Sequence, residues 1–212
     1  MVLKSLKKEQ IRRLIIDAAK IYSRELAGRV FLYVFGSEYF EIVFKTDRFT
    51  HLTGVSTQLP AAKFYSLAKS GILNTGQFGF TSQHPMAVAK KKLPCLNNLP
   101  LLTNNLVCVV KDMKTLTCSY KIGVTNLSFT LCLTNNIDLS GRKIDDCLLP
   151  RSLRIKDKAI ENSPFAEIVD FIFVKTYGSS IYSELTYSDN TKTLPDTIKS
   201  LVDAKFFIQQ QH

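Results

Sequence analysis

Residues 38–73 constrain the fold most, because the hydrophobic period changes twice within that short span. Residues 39–45 alternate, with Phe40, Ile42 and Phe44 on one side, and their aromatic and β-branched side chains suit a strand. From 60 to 73 the apolar positions Ala61, Phe64, Tyr65, Ala68 and Ile72 recur at three- and four-residue steps. That is the spacing of one helix face, with Pro60 suited to a first turn. Between them, residues 46–55 read as punctuation holding His51, Thr53 and Gly54. His51 is one of only three histidines, and its place at a strand-to-helix crossover makes it a candidate base.

The flanking segments extend this pattern. Residues 4–26 carry an apolar stripe (Leu6, Ile11, Leu14, Ile15, Ala18, Ala19, Tyr22, Leu26) that predicts a helix, with Lys4, Lys7, Lys8, Arg12 and Arg13 crowded at its start. Positive charge there opposes the helix dipole, so those cations suit either a solvated face or a phosphate partner. Gly36-Ser37 predicts a hairpin turn between strands 30–35 and 39–45. Residues 74–85 read as loop and 85–92 as a short helix closed by Leu93-Pro94. Three strands follow at 106–111, 115–122 and 128–134, joined by turns at 112–114 and 123–126, and a fourth at 147–155. After a connecting segment at 157–162 come strands 168–175 and 181–187, turned at 177–180, and a closing helix at 195–206. The sum is an α+β fold, with the N-terminal and central helices packed on a twisted antiparallel sheet. Without an internal repeat or a linker, residues 1–212 read as a single domain.

An apolar share of 45% with 22% charged residues excludes general disorder. Lysine and arginine number 28 against 18 acidic residues, a formal +10, which favours a partner of negative charge. Such partners are most often nucleic acid or anionic lipid; no apolar run nears the ~18 residues of a membrane span, and nucleic acid without a membrane is the expectation. The five cysteines are odd in number and form no CxxC, as expected of buried thiols in a reducing cytoplasm.

The sequence has no P-loop, GxGxxG, HExxH, GxSxG or paired-cysteine zinc pattern, so neither a metal nor a cofactor is expected. Basic and hydroxyl residues at strand ends remain: His51 and Thr53; Arg151, Ser152 and Arg154; Lys175 and Thr176; Ser183 and Thr186. That set suits metal-free RNA cleavage. A base takes the proton of a ribose 2′-hydroxyl, and cations stabilise the charge that builds on the phosphoryl oxygens. Lys90, Lys91 and Lys92 add a site for a phosphate backbone or a solvated face. Each residue also has a plain alternative. His51 reads equally as a packing histidine, Thr53-Gly54 as turn-formers, Arg151 and Arg154 as exposed strand residues, and Lys175 as a solubilising strand end. Tyr65, Tyr177 and Tyr182 read either as base-stacking or as core residues.

In order, Phe49-x-His51-Leu52-x-Gly54, Ala61-x-x-Phe64-Tyr65, Pro150-x-Ser152-Leu153 and Phe171-x-Phe173-x-Lys175 resemble the fourth phage family of the barnase–EndoU–colicin–RelE nuclease superfamily. The resemblance runs from about Leu14 to Val202. It implies a RelE/barnase-like fold and metal-independent RNase activity in the cytoplasm of a bacterial host. His51 would be base or acid, with Ser152 or Arg154 and Lys175 handling the phosphate. Lys90, Lys91, Lys92, Arg151, Thr53 and Thr186 would hold the nucleic acid. An antitoxin or immunity protein is an expected partner. The rival expectation is an inert, anti-CRISPR-like inhibitor of a host defence complex, or a nucleic-acid-binding protein using the same basic face. A third is a structural interaction protein whose charge keeps it in solution.

Overall fold

The computed structural model describes residues 2–114, 119–138, 140–157, 163 and 166–208. Among them, five α-helices and nine strands form a mixed α+β fold on one mostly antiparallel sheet. The chain opens with α1 (Val2–Glu25), then β1 (Arg29–Phe35) and β2 (Glu38–Val43), the expected hairpin turned by Gly36-Ser37, in which Phe35 stands opposite Glu38. Three helices follow, α2 (Phe49–Thr53), α3 (Ala61–Lys69) and α4 (Met86–Asn97). The meander is β3 (Cys108–Lys114), β4 (Ser119–Thr125), β5 (Thr130–Ile137) and the long β6 (Lys143–Arg154). The chain ends with β7 (Ala166–Ile168), β8 (Phe171–Thr176), β9 (Glu184–Ser188) and the one-turn α5 (Lys205–Ile208).

Strand order is β7-β3-β4-β5-β6-β2-β1-β8-β9. Every neighbouring pair is antiparallel except β2 and β6, which run parallel and meet at one register point, Ile42 opposite Leu148. Strand β1 is apolar on both faces. Phe31, Tyr33 and Phe35 enter one core with the stripe of α1 (Ile11, Ile15, Ala18, Ala19, Tyr22, Leu26) and with α3 and α4. Val30, Leu32 and Val34 enter a second core with Phe171, Phe173, Ile198, Val202 and Phe206. The sheet is therefore covered on both sides at β1, and this explains a strand that reads VFLYVF without polar alternation.

Four expectations are corrected. Residues 46–55 are more than punctuation, for a 3₁₀ turn at Thr46–Arg48 leads directly into α2. Pro94 does not end α4, which runs to Asn97 because Leu93 and Leu96 are both buried in the helix-side core. That burial outweighs the hydrogen bond a proline forfeits. Strand β3 continues through 112–114, where a turn was expected. Residues 195–206 are no continuous helix: the Tyr182 amide donates to the Leu201 carbonyl and the Asp203 amide to the Tyr182 carbonyl, which draws the chain into a bridge before α5 restarts. Residues 115–118 of one expected strand and 158–162 of the connecting segment lie outside the described residues, as does Cys118.

Close approach of three strands leaves no room for a side chain at Gly123. A Cβ there would stand 2.8 Å from Met113 Cε and 2.9 Å from the Leu131 carbonyl oxygen, and that oxygen is backbone that cannot swing aside. Gly123→Ala is expected to lower stability by about 1–3 kcal/mol, read as an earlier midpoint in urea denaturation. An unchanged midpoint would contradict this packing.

Candidate active site

His51 owes its position to aromatic packing beneath it. Phe49 and Leu52 of α2 are fully buried, and Phe49 meets Tyr22 and Tyr65 with ring centroids 5.4 Å apart in each case. The Tyr22 hydroxyl donates to the Lys45 carbonyl at 2.9 Å, fixing the segment that leads into α2. With Phe49 and Leu52 turned inward, His51 between them is left at the surface. The helix stops at Gly54, in the left-handed region at φ 74°, and Thr53 closes the turn. Its hydroxyl donates to the Thr50 carbonyl at 2.7 Å and accepts the Val55 amide at 3.3 Å. Thr53 is fully buried, so its place is inside the turn and not on a binding face.

The His51 ring is exposed at its rim, yet flanked closely enough that partial burial is the first cause of a pKa below its ordinary 6.5. Arg151 and Arg48 depress it further, His84 adds to the effect, and Asp47 opposes it. A neutral imidazole at pH 7 is the form that accepts a proton.

Next to Arg151 in β6 comes a second cationic group. Lys92 Nζ reaches from α4 to donate to Ser152 Oγ at 3.4 Å. Burial and the neighbouring Arg154 hold the Lys92 pKa below that of an ordinary lysine. Arg154 lies over the Tyr120 ring, its guanidinium carbon 5.6 Å from the centroid, donates to the Tyr120 hydroxyl at 3.2 Å, and pairs with Asp157 at 3.8 Å. The three lysines of α4 thus divide: Lys90 and Lys91 point into solvent, while Lys92 turns inward to β6. Among the described residues β6 has no strand partner on the β2 side beyond Leu148, and α2 and α4 both contact β6. His51 and Arg151 thus influence each other, Lys92, Ser152 and Arg154 form a contiguous group, and the link between the two sets is the succession of Arg151 and Ser152 along β6.

Lys175 and Thr186 belong to neither set. Lys175 sits on β8, three strands from β6, or roughly 14 Å at the usual strand spacing. It pairs with Glu41 at 3.4 Å and lies 4.3 Å from the Tyr182 ring centroid, on the face away from the helices. Glu41 also accepts the Tyr182 hydroxyl at 2.5 Å and the Cys147 thiol at 3.8 Å. Burial and Glu41 push the Cys147 pKa up to about 12 and the Tyr182 phenol upward as well. Thr186 spends its hydroxyl on the Thr103 and Ile172 carbonyls at 2.6 and 3.0 Å. Tyr65 and Tyr182 are core residues, and Tyr177 is half-exposed. Among the basic residues of α1, Arg12 is engaged internally by Glu9 at 2.7 Å and the Leu73 carbonyl at 3.1 Å.

Three contributors were missing from the sequence reading. Arg48 stands three residues before His51, the distance of one helical turn, and that spacing was the available signal. Neither His84, in a loop, nor Tyr120, at the start of a strand, carries any sequence mark tying it to His51 or Arg154.

The mixed α+β fold thus presents an exposed histidine whose pKa partial burial and neighbouring arginines lower. Residues 14–191 match the family described as phage-Barnase-EndoU-ColicinE5/D-RelE like nuclease4, and the chain belongs to that phage-associated nuclease family. Comparison with curated proteins and with solved structures finds no match. No helix among the described residues is long and apolar enough to cross a membrane.

Two outcomes follow from the geometry. In an NMR titration the His51 ring should show a pKa below 6.5, and Arg151→Ala should move it upward, since losing a nearby positive charge favours the imidazolium. A downward or absent movement would remove Arg151 from the ring's surroundings. Tyr182→Phe deletes the donor to Glu41 and should cost about 1.5–3 kcal/mol in denaturation; no loss would show that this hydrogen bond contributes nothing.

Proposed function

We propose that the protein is a metal-independent endoribonuclease of phage or mobile-element origin, a single domain with RelE/barnase-like packing that acts in the bacterial cytoplasm. The observation that carries the reading is a histidine whose pKa partial burial, Arg151 and Arg48 hold below the ordinary value, with Arg151 next in β6 to the Ser152–Arg154–Lys92 group. His51 takes the proton of a ribose 2′-hydroxyl. The freed oxygen attacks the adjacent phosphorus, the bond to the 5′-oxygen breaks, and the products are a 2′,3′-cyclic phosphate and a 5′-hydroxyl end. Arg151 and Arg154 offset the charge growing on the phosphoryl oxygens, and Ser152 orients the phosphate. Lys92, with its lowered pKa, is suited to return a proton to the leaving oxygen. The exposed Lys90 and Lys91 hold the backbone of the strand on either side. Membership of a nuclease family and the formal charge of +10 support nucleic acid as the partner. An antitoxin or immunity protein would act by covering this face.

Cleavage of bacterial total RNA in EDTA tests the reading. Wild-type protein should release fragments ending in cyclic phosphate. His51→Ala should lose about 10²- to 10⁴-fold in rate, the usual contribution of a general base, and a 2′-deoxy substrate should resist. Since only the neutral ring serves, the rate should fall as pH drops through the lowered His51 pKa, and Arg151→Ala should shift that limb to higher pH. Equal cleavage by wild type and His51→Ala would move the centre elsewhere. Salt-dependent binding without any cleavage would select the inert binder or defence-complex inhibitor instead.

A further inference from the structure

We propose that the groove between residues 56–59 and 76–81 holds an unstacked base of the single-stranded RNA on which His51 acts, a subsite that rests on the nuclease reading above. The groove has a volume of about 460 Å³, within the range of small-ligand sites. One wall is the direct continuation of α2, for Ser56 follows Gly54 by two residues. The other wall leads back to the same place. The Thr81 amide donates to the His84 carbonyl at 3.1 Å and the His84 amide to Thr81 Oγ1 at 3.0 Å, and His84 is among the groups that lower the His51 pKa.

The two walls are already joined without a ligand. Ser56 and Gly79 exchange backbone hydrogen bonds at 3.0 and 2.7 Å, and the Thr57 hydroxyl donates to the Gln77 carbonyl at 2.6 Å. A groove fixed in this way binds without the entropy cost of ordering its loops.

Its lining names the ligand class. No charged side chain lines it, so it is no seat for a phosphate. Phe78 is buried and Phe80 partly buried, their rings 6.2 Å apart and nearly perpendicular. Gln58 is exposed, and its amide has no partner among the described residues. An aromatic ring beside an unengaged amide suits a neutral heteroaromatic base, stacked on Phe80 and read at its edge by Gln58. The phosphates of the same strand then fall to Arg151, Arg154 and Lys92. The groove thus supplies the division of labour, base against aromatic and backbone against cation, that single-strand binding needs.

Photo-crosslinking tests this independently of catalysis. The probe is a pool of short, random-sequence, 2′-O-methylated single-stranded RNA, which transesterification cannot cleave, with thio-substituted uridine or guanosine. The expected adducts map to peptides covering 56–59 or 76–81. Phe80→Ala should weaken binding of the pool about tenfold. Because Phe80 also packs on the core, Gln58→Ala and Gly79→Val serve as companions: Gln58 is exposed, and a Cβ at Gly79 meets nothing within 4 Å. Both should weaken binding while leaving the melting temperature in place. Adducts confined to 90–92 and 151–154, undiminished affinity in all three variants, or no binding of the pool would each overturn the proposal. Groove adducts from a wild type that cleaves no RNA would retire the nuclease reading and leave the base site standing.

Discussion

The sheet depends on one thin seam. Strands β9, β8, β1 and β2 form one antiparallel block, and β6, β5, β4, β3 and β7 form another. Among the described residues, Ile42–Leu148 is the one register pair between neighbouring strands of the two blocks, and where β7 leads into β8 the Val169 amide donates to the Val107 carbonyl and the Asp170 amide to the Val34 carbonyl. A ladder that short cannot hold two blocks in register, and the side chains across it make up the difference. On the face away from the helices, Lys45 donates to Asn136 at 3.0 Å, Asn136 to Asp145 at 2.8 Å, and Tyr177 to Asp145 at 3.2 Å. Glu41 of β2 collects Tyr182, Lys175 and Cys147 of β6. On the other face a single apolar core takes residues from both blocks, Phe31 and Ile42 from one and Leu131 and Leu153 from the other, beneath α1, α3 and α4. Lys175 therefore has a physical reason to exist that involves no substrate.

The same seam creates the candidate site. Because β2 leaves the sheet after Val43, the far half of β6 faces an opening where a ladder partner would otherwise stand. Helix α2 contacts β6, and its position is set by Phe49 in the aromatic group of Tyr22, Phe64 and Tyr65. Fully burying a side chain of this size is worth about 1.5–3 kcal/mol, enough to hold a five-residue helix that has no stability of its own. A side chain on so short an element is as rigid as the core that anchors it, and here the anchor is the buried aromatic group of Tyr22, Phe64 and Tyr65.

What was legible in the sequence was local. The β1–β2 hairpin, the amphipathic stripes of α1 and α3, and the placing of His51 beside a turn all rest on neighbours within a few residues. The failures share a cause in long-range packing. Pro94 signals a helix end, and only the burial of Leu93 and Leu96 overrides it. Ile198, Val202 and Phe206 follow one another at four-residue steps, as on a helix, yet all three reach the same core from a chain interrupted to pair with Tyr182. Grouping Lys175 with His51 required knowing that β1 and β2 lie between β8 and β6. Strand composition does not encode strand order.

The charge pattern of β6 explains why its two arginines play different parts. Leu153 turns into the helix-side core opposite Leu131, so Ser152 and Arg154 turn the other way, opposite Cys132 and Thr130. Arg154 is held over Tyr120 and beside Asp157, which fixes a planar donor before any anion arrives. Arg151 is exposed, and after partial burial it is the largest influence that lowers the His51 pKa. A fixed guanidinium suits a charge that appears only in the transition state, because no reorganisation is then needed. Lys92 already donates to the Ser152 hydroxyl, which leaves the Ser152 proton available to another acceptor.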